Sequence, residues 1–176
     1  MLKKITKWLL YSTFLLSIAQ QYYYYAQLPY KVAIHFNIDG IPDNFTGKLT
    51  SAFIQIGVVG FMIVVVIVSD WLLKKGSDDF INIPNRRYWL APERRERTVK
   101  LLSSFVYWLG VITNLFLIFI SQHIIEVNLN TDVVLGHNFW VYLTIYFAAI
   151  FLSIVIFFRI LNSKKIDKKL TKKNES

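Results

Sequence analysis

The sequence predicts an all-α integral membrane protein of four transmembrane helices, with both termini in the cytoplasm and a short extended outer loop. Three observations predict it. Hydrophobic residues make up 55% of the 176 residues and charged residues only 18%, below the roughly one quarter of a soluble domain. The apolar residues fall in uncharged blocks of the length, about 20 residues, that an α-helix needs to cross hydrocarbon. The basic residues are sorted to alternate connections between those blocks.

The first block, Trp8 to Leu28, follows Lys3, Lys4 and Lys7. A basic start before an apolar stretch also fits a signal peptide. The block is long, however, and Gln20, Gln21 and the run Tyr22 to Tyr25 resemble an interfacial belt more than a small-residue cleavage site, so an uncleaved anchor is expected. The second block runs from Leu49 to Ser69, closed by Asp70, Trp71, Lys74 and Lys75. The third runs from Leu101 to Ile125. The fourth lies within Val133 to Phe158, centred on Phe139 to Phe158, with Arg159 at its end. Backbone polar groups in hydrocarbon must be satisfied within the segment, so these blocks are helices. The strands of a membrane barrel would be shorter and alternating.

Four spans place the N-terminus, the 74–98 loop with Lys100, and the C-terminal tail on one side. Those segments carry 18 of the 20 basic residues, and only Lys31 and Lys48 fall on the other. The positive-inside rule assigns the basic side to the cytoplasm. One membrane domain, 1–161, is expected, with an outer loop at 29–48, followed by a basic cytoplasmic tail at 162–176. The net charge of +9 lies beside membrane spans, so anionic lipid, not nucleic acid, is the expected partner. With no cysteine, disulfides, thiolate metal sites and cysteine nucleophiles are excluded.

Between the first two spans, Val32, Ile34, Phe36 and Ile38 alternate with Ala33, His35 and Asn37 and lead to Asp39-Gly40. That is a short extended segment running into a turn. The string Leu28-Pro29, Ile34-His35-Phe36-Asn37, Gly40, Pro42-Asp43 and Lys48 resembles the N-terminal module, itself of unknown function, of membrane proteins related to the Sdp-type toxin-immunity proteins. Asn82-Ile83-Pro84-Asn85 and Tyr88-Trp89-Leu90-Ala91-Pro92-Glu93-Arg94-Arg95 resemble a second signature of short relatives, extending the resemblance to about residue 100. The resemblance implies a multi-pass protein of the bacterial cell membrane and kinship with toxin immunity. The resemblance places most of the immunity role in a further multi-span region, which these 176 residues are expected to be too short to contain.

The candidate recognition surface on the outer side is His35, Asn37, Asp39 and Asp43. His123 and Glu126, three residues apart, share a helix face. With His35, and with Asp39 or His137, they form a candidate site for a divalent metal such as zinc, which could be structural or could activate a water for hydrolysis. The plainer alternative has His35 bonded within its turn and His123 and His137 at the headgroup boundary. No His-x-x-x-His or His-Glu-x-x-His spacing is present.

Within the spans, Asn114 needs a partner from another helix, and Asp70 is expected to snorkel or pair with Lys74. Ala149 and Ser153 form a small-x-x-x-small pair. No run of buried charge marks a transporter or proton relay. In the basic loop Pro92 suits a helix start with Glu93 at its positive end. Arg86, Arg87, Trp89, Arg94 and Arg95 are expected at lipid headgroups, or as a docking surface for a cytoplasmic regulator. The expected function is non-enzymatic, in envelope sensing or in protection from a membrane-active peptide. The alternatives are a metal-dependent hydrolase and a transporter or channel subunit.

Overall fold

The first helix explains the rest of the architecture, because its faces are reversed relative to a soluble helix. Thr6, Leu10, Thr13, Ser17 and Gln21 recur at helical spacing, and all five are buried. Ile5, Trp8, Leu9, Leu15, Leu16 and Ile18 are exposed. A helix that hides hydroxyls and amides and displays Trp, Leu and Ile is built for an apolar solvent.

The computed structural model describes residues 2–130, 134–136 and 138–163. In chain order it contains α1 (Leu2–Tyr25), β1 (Lys31–Phe36), β2 (Pro42–Gly47), α2 (Lys48–Lys75), a 3-10 turn (Asp78–Phe80), α3 (Arg86–Trp89), α4 (Pro92–Leu129) and α5 (Asn138–Asn162). The protein is mostly helical, and α2, α4 and α5 are each long and apolar enough to cross a membrane. α1, at 24 residues, has the length (about 36 Å at 1.5 Å per residue), while its buried polar stripe dilutes its apolar composition. The expected third block is part of a helix of 38 residues that begins at Pro92, as the helix-start reading requires.

α1, α2 and α4 pack on one another, while α5 has its main helix contact with α4. Only 6% of the most apolar stretch of α5 is buried, against 39% for α4. The three-helix core is closest at Gly110 of α4. A methyl group there would lie 2.5 Å from Val66 Cγ2 and 3.2 Å from Leu10 Cδ1, so only glycine admits both neighbours. Around it Leu10, Ile63, Val66, Tyr107 and Val111 form an apolar cluster. α5 is attached along its length by aromatic contacts. Phe105 and Phe157 stack at 3.9 Å, and Phe116 and Tyr146 at 4.3 Å. Trp108 Nε1 donates to Ser153 Oγ at 3.1 Å, which gives one member of the small-residue pair a specific partner.

One expectation is corrected. The loop between α1 and α2 is not only extended but pairs into a two-stranded antiparallel hairpin, with Lys31 opposite Gly47 and Ala33 opposite Phe45. The second strand, Pro-Asp-Asn-Phe-Thr-Gly, is poor in strand-forming residues, which is why composition did not reveal it.

Candidate functional site

The hairpin is fixed at the end of the bundle where α1 finishes and α2 begins. Asn37 Oδ1 accepts from the backbone amides of Asp39 (3.0 Å) and Ile41 (2.9 Å), so this side chain builds the turn. Gly40 follows with φ of +77°, a left-handed conformation that L side chains resist. On the other edge of β1, Asn128 of α4 acts like a neighbouring strand. Its Oδ1 accepts from Ala33 N at 2.7 Å, and its Nδ2 donates to Ala33 O at 3.0 Å. Leu28, Val32 and Ile125 form a small apolar cluster beneath. Lys48 Nζ reaches the carbonyls of Tyr25 and Leu28 at 3.1 and 3.3 Å. A cation there offsets the partial negative charge at the end of α1.

Between this hairpin, the end of α4, residues 134–136 and the start of α5 lies a cavity of about 600 Å³. Ile34, Phe36, Ile120, Ile124, Phe139 and Trp140 make its apolar walls, and His35, Asn37 and Asp39 bring polar groups to its lining. Its volume is in the range of small-ligand sites, and an apolar lining with a few polar groups is their usual chemistry. The turn is hooked over the cavity by Leu135 N donating to Gly40 O at 2.8 Å. Any side chain at Gly40 would meet Leu135 O, 2.5 Å from the position of its Cβ.

Three of the four expected recognition residues line this cavity. The fourth, Asp43, holds His35 through an exposed contact between Nδ1 and Oδ1 of 2.5 Å. The expected metal set is dispersed among other partners. His35 is turned to Asp43, and Glu126 accepts from Gln122 Nε2 at 2.8 Å. His123 is buried with its ring edge-on to Tyr142, centroids 5.8 Å apart, so it does not present a polar tip at a headgroup boundary. Among the described residues no three His, Cys, Asp or Glu side chains are grouped to hold a metal. His137 and Asp132, like the tail beyond Ser163, lie outside the described residues.

At the opposite, basic end the structure corrects the placing of Trp89. It is buried with Ile81, Leu102, Phe157 and Leu161, and its Nε1 donates to Leu161 O at 2.7 Å. It thereby satisfies a carbonyl in the last turn of α5, which the helix cannot pair itself. Three of the four arginines expected at headgroups have carboxylate partners. Arg86 meets Asp79 at 2.8 Å, Arg94 meets Glu93 at 2.8 Å, and Arg95 grips Asp78 with Nε at 2.9 and 3.0 Å. Arg87 is exposed. The Arg86 guanidinium holds the Asp79 carboxyl below its ordinary range. Their attraction is therefore present above a pH of about 4 and fades as pH falls through the lower folded value.

Asn114 and Asp70, which the sequence singled out, belong to a polar seam inside the three-helix core whose other members sequence reasoning missed. Asn114 Nδ2 donates to Thr13 Oγ1 at 3.0 Å, the interhelical partner that Asn114 required. Gln21 Nε2 donates to Gln55 Oε1 (3.1 Å) and Ser121 Oγ (2.9 Å), and Ser121 also contacts Gln55. Gln20 Nε2 donates to Gln122 Oε1 at 3.0 Å, and Gln122 Nε2 in turn donates to Tyr24 Oη at 3.0 Å. Toward the basic end Asp70 is buried and takes both Lys3 (2.7 Å) and Lys74 (2.5 Å). Thr6, Thr13, Ser17 and Gln21 on one stripe of α1 were the available signal, obscured because each is individually ordinary in a span.

No curated protein and no solved structure matches the chain. One family does match, over residues 13–60, which comprise the second half of α1, the whole hairpin and the first half of α2. The hairpin and its cavity-lining turn thus fall within the matched segment, and residues 13–60 are similar to the family described as Domain of unknown function (DUF1648).

Proposed function

We propose that this is a non-catalytic membrane protein of four spans whose hairpin-end cavity binds a membrane-active, amphipathic peptide, in envelope sensing or in protection related to toxin immunity. In this reading α1 is the fourth span, the basic end faces the cytoplasm of a bacterial cell, and the hairpin faces outward. The observation that carries it is the cavity itself. It is flanked by a turn held to Leu135, walled by Phe139, Trp140, Ile120 and Ile124, and has His35 and Asp39 in its lining. An amphipathic chain arriving along a membrane surface offers apolar side chains to such walls and polar groups to its mouth.

A second reading, a transporter or channel subunit, draws on the polar seam, where Gln20 Oε1 and Asn114 Oδ1 have no hydrogen-bond partner among the described residues. The cluster Leu10, Ile63, Val66, Tyr107 and Val111 lies between that seam and Asp70, so the polar line is interrupted and the binding reading is preferred.

The absence of cysteine makes the test direct. Ile38 lines the cavity and is 88% exposed, so Ile38→Cys carries a single environment-sensitive fluorophore. Saturable spectral shifts with amphipathic peptides are expected, together with greater peptide sensitivity of cells lacking the protein. A flat response across a panel of cationic and anionic peptides, with unchanged sensitivity, removes the proposal.

A further inference from the structure

The geometry points to a second site, at the basic end, for the phosphate of an anionic phospholipid headgroup. This inference rests on the spanning arrangement proposed above and is independent of the hairpin-end ligand. A cleft of about 390 Å³ lies where the start of α1, the end of α2 and the first turns of α4 meet, lined by Lys3, Lys74, Arg95, Lys100, Glu96 and Ser103 among others.

Four cations from three helices therefore converge on one space against a single lining carboxylate. Each cation is anchored by an acid. Lys3 and Lys74 hold Asp70, Arg95 holds Asp78, and Lys100 holds Glu96 at 2.5 Å. The anchors fix the direction of the side chains without exhausting them, because an ammonium has three protons and a guanidinium five. The ion pairs thus preorganise donors that a phosphate oxygen can share.

A second observation points into the same space. Ser103 is fully buried and lines the cleft. Its hydroxyl lies near Asp70 yet makes no hydrogen bond in acceptable geometry among the described residues. Beside a carboxylate already shared by two lysines, that hydroxyl is free to turn to an acceptor oxygen in the cleft. The cleft also opens beside Pro92, the first residue of α4, where a long helix presents its partial positive charge.

The location favours a lipid over a free phosphate. Beyond the cleft the exposed surfaces of α1 and α2 turn apolar, with Trp8 and Leu9 on one and Leu72 and Trp71 on the other. A phosphate in the cleft can therefore keep acyl chains along those helices, and basic pockets between spans are a recurrent form of headgroup site. Of the arginines expected at headgroups, only Arg95 contributes.

The test uses the full chain, purified and delipidated, offered phosphatidylglycerol or phosphatidylcholine in mixed micelles. Bound lipid is read by native mass spectrometry and stabilisation by melting temperature. Phosphatidylglycerol is expected to bind at least about tenfold more tightly than phosphatidylcholine, with Lys100→Gln weakening it about fivefold, the effect of one surface charge. Lys100→Gln combined with Ser103→Ala should weaken it further, and Arg87→Gln should leave it unchanged. Lys100 is 68% exposed, so that variant folds even if a Ser103 variant does not. Equal binding of the two lipids, or equal effects of Lys100→Gln and Arg87→Gln, overturns the site. Glycerol phosphate binding as tightly as phosphatidylglycerol overturns the lipid assignment.

Discussion

At the scale of single residues, the motif-like string between α1 and α2 proves to be mainly construction. Asn37 shapes the turn, Lys48 closes the end of α1, and Gly40 permits both the left-handed backbone and the approach of Leu135. The turn itself was legible, because Asp39-Gly40 after alternating apolar residues has a mechanism. Asn128 was not legible, since nothing local reveals that an amide 95 positions away in sequence will pair with Ala33. Two predictions belong here. Gly40→Ala adds left-handed strain of about 1–2 kcal/mol and a collision with Leu135, so a lowered melting temperature and a loosened cavity are expected. A label at Ile38 should report the loosening as increased mobility. Asn128→Ala leaves a buried donor and acceptor of β1 unmatched and should cost about 2 kcal/mol, with faster amide exchange confined to the hairpin. Unchanged exchange at Ala33 would refute the clamp.

At the scale of elements, α5 and the 76–91 connection depend on each other. Trp89 plugs the space beside Phe157 and Leu161 and bonds the last turn of α5, while Thr98 Oγ1 holds the Trp89 carbonyl at 2.7 Å. The connection is thus a clamp between α4 and α5. Its aromatic pair had suggested an interfacial anchor because Trp at a span's edge usually is one. Burial overrode that prior, and burial depends on where α5 ends. Phe157→Ala removes the stack with Phe105 without exposing either to water. The loss should be about 3 kcal/mol, the usual cost of truncating a buried aromatic, and local, because α5 is held mainly by α4 and the Trp89 connection. Engineered cysteines across α4 and α5 near residues 105 and 157 should then cross-link more slowly, while pairs across α1 and α4 stay unaffected. A matching slowdown at both interfaces would show that α5 is not peripheral.

At the scale of the whole molecule, the apolar blocks predicted the helices because length and continuity suffice for that. What they could not predict was partition into a three-helix core and an attached fourth, since uncharged residues look alike whether they meet lipid or protein. The charge sorting leads to an arrangement that single-cysteine labelling can check in intact cells. Cysteine at Ile38 should react with an impermeant reagent from outside, and cysteine at Asp79 only after permeabilisation. Labelling of Asp79→Cys in sealed cells would invert the orientation and remove the proposed outward-facing cavity. The reversed faces of α1 have a further consequence for biogenesis. In the four-span arrangement proposed above, this segment enters the bilayer long before Asn114, Ser121 and Gln122 are made, carrying amides that lipid cannot satisfy. It must wait beside the insertion machinery, or borrow a temporary companion, until its sister segments emerge. A truncated chain ending before them should therefore be treated by the cell as an orphan and degraded.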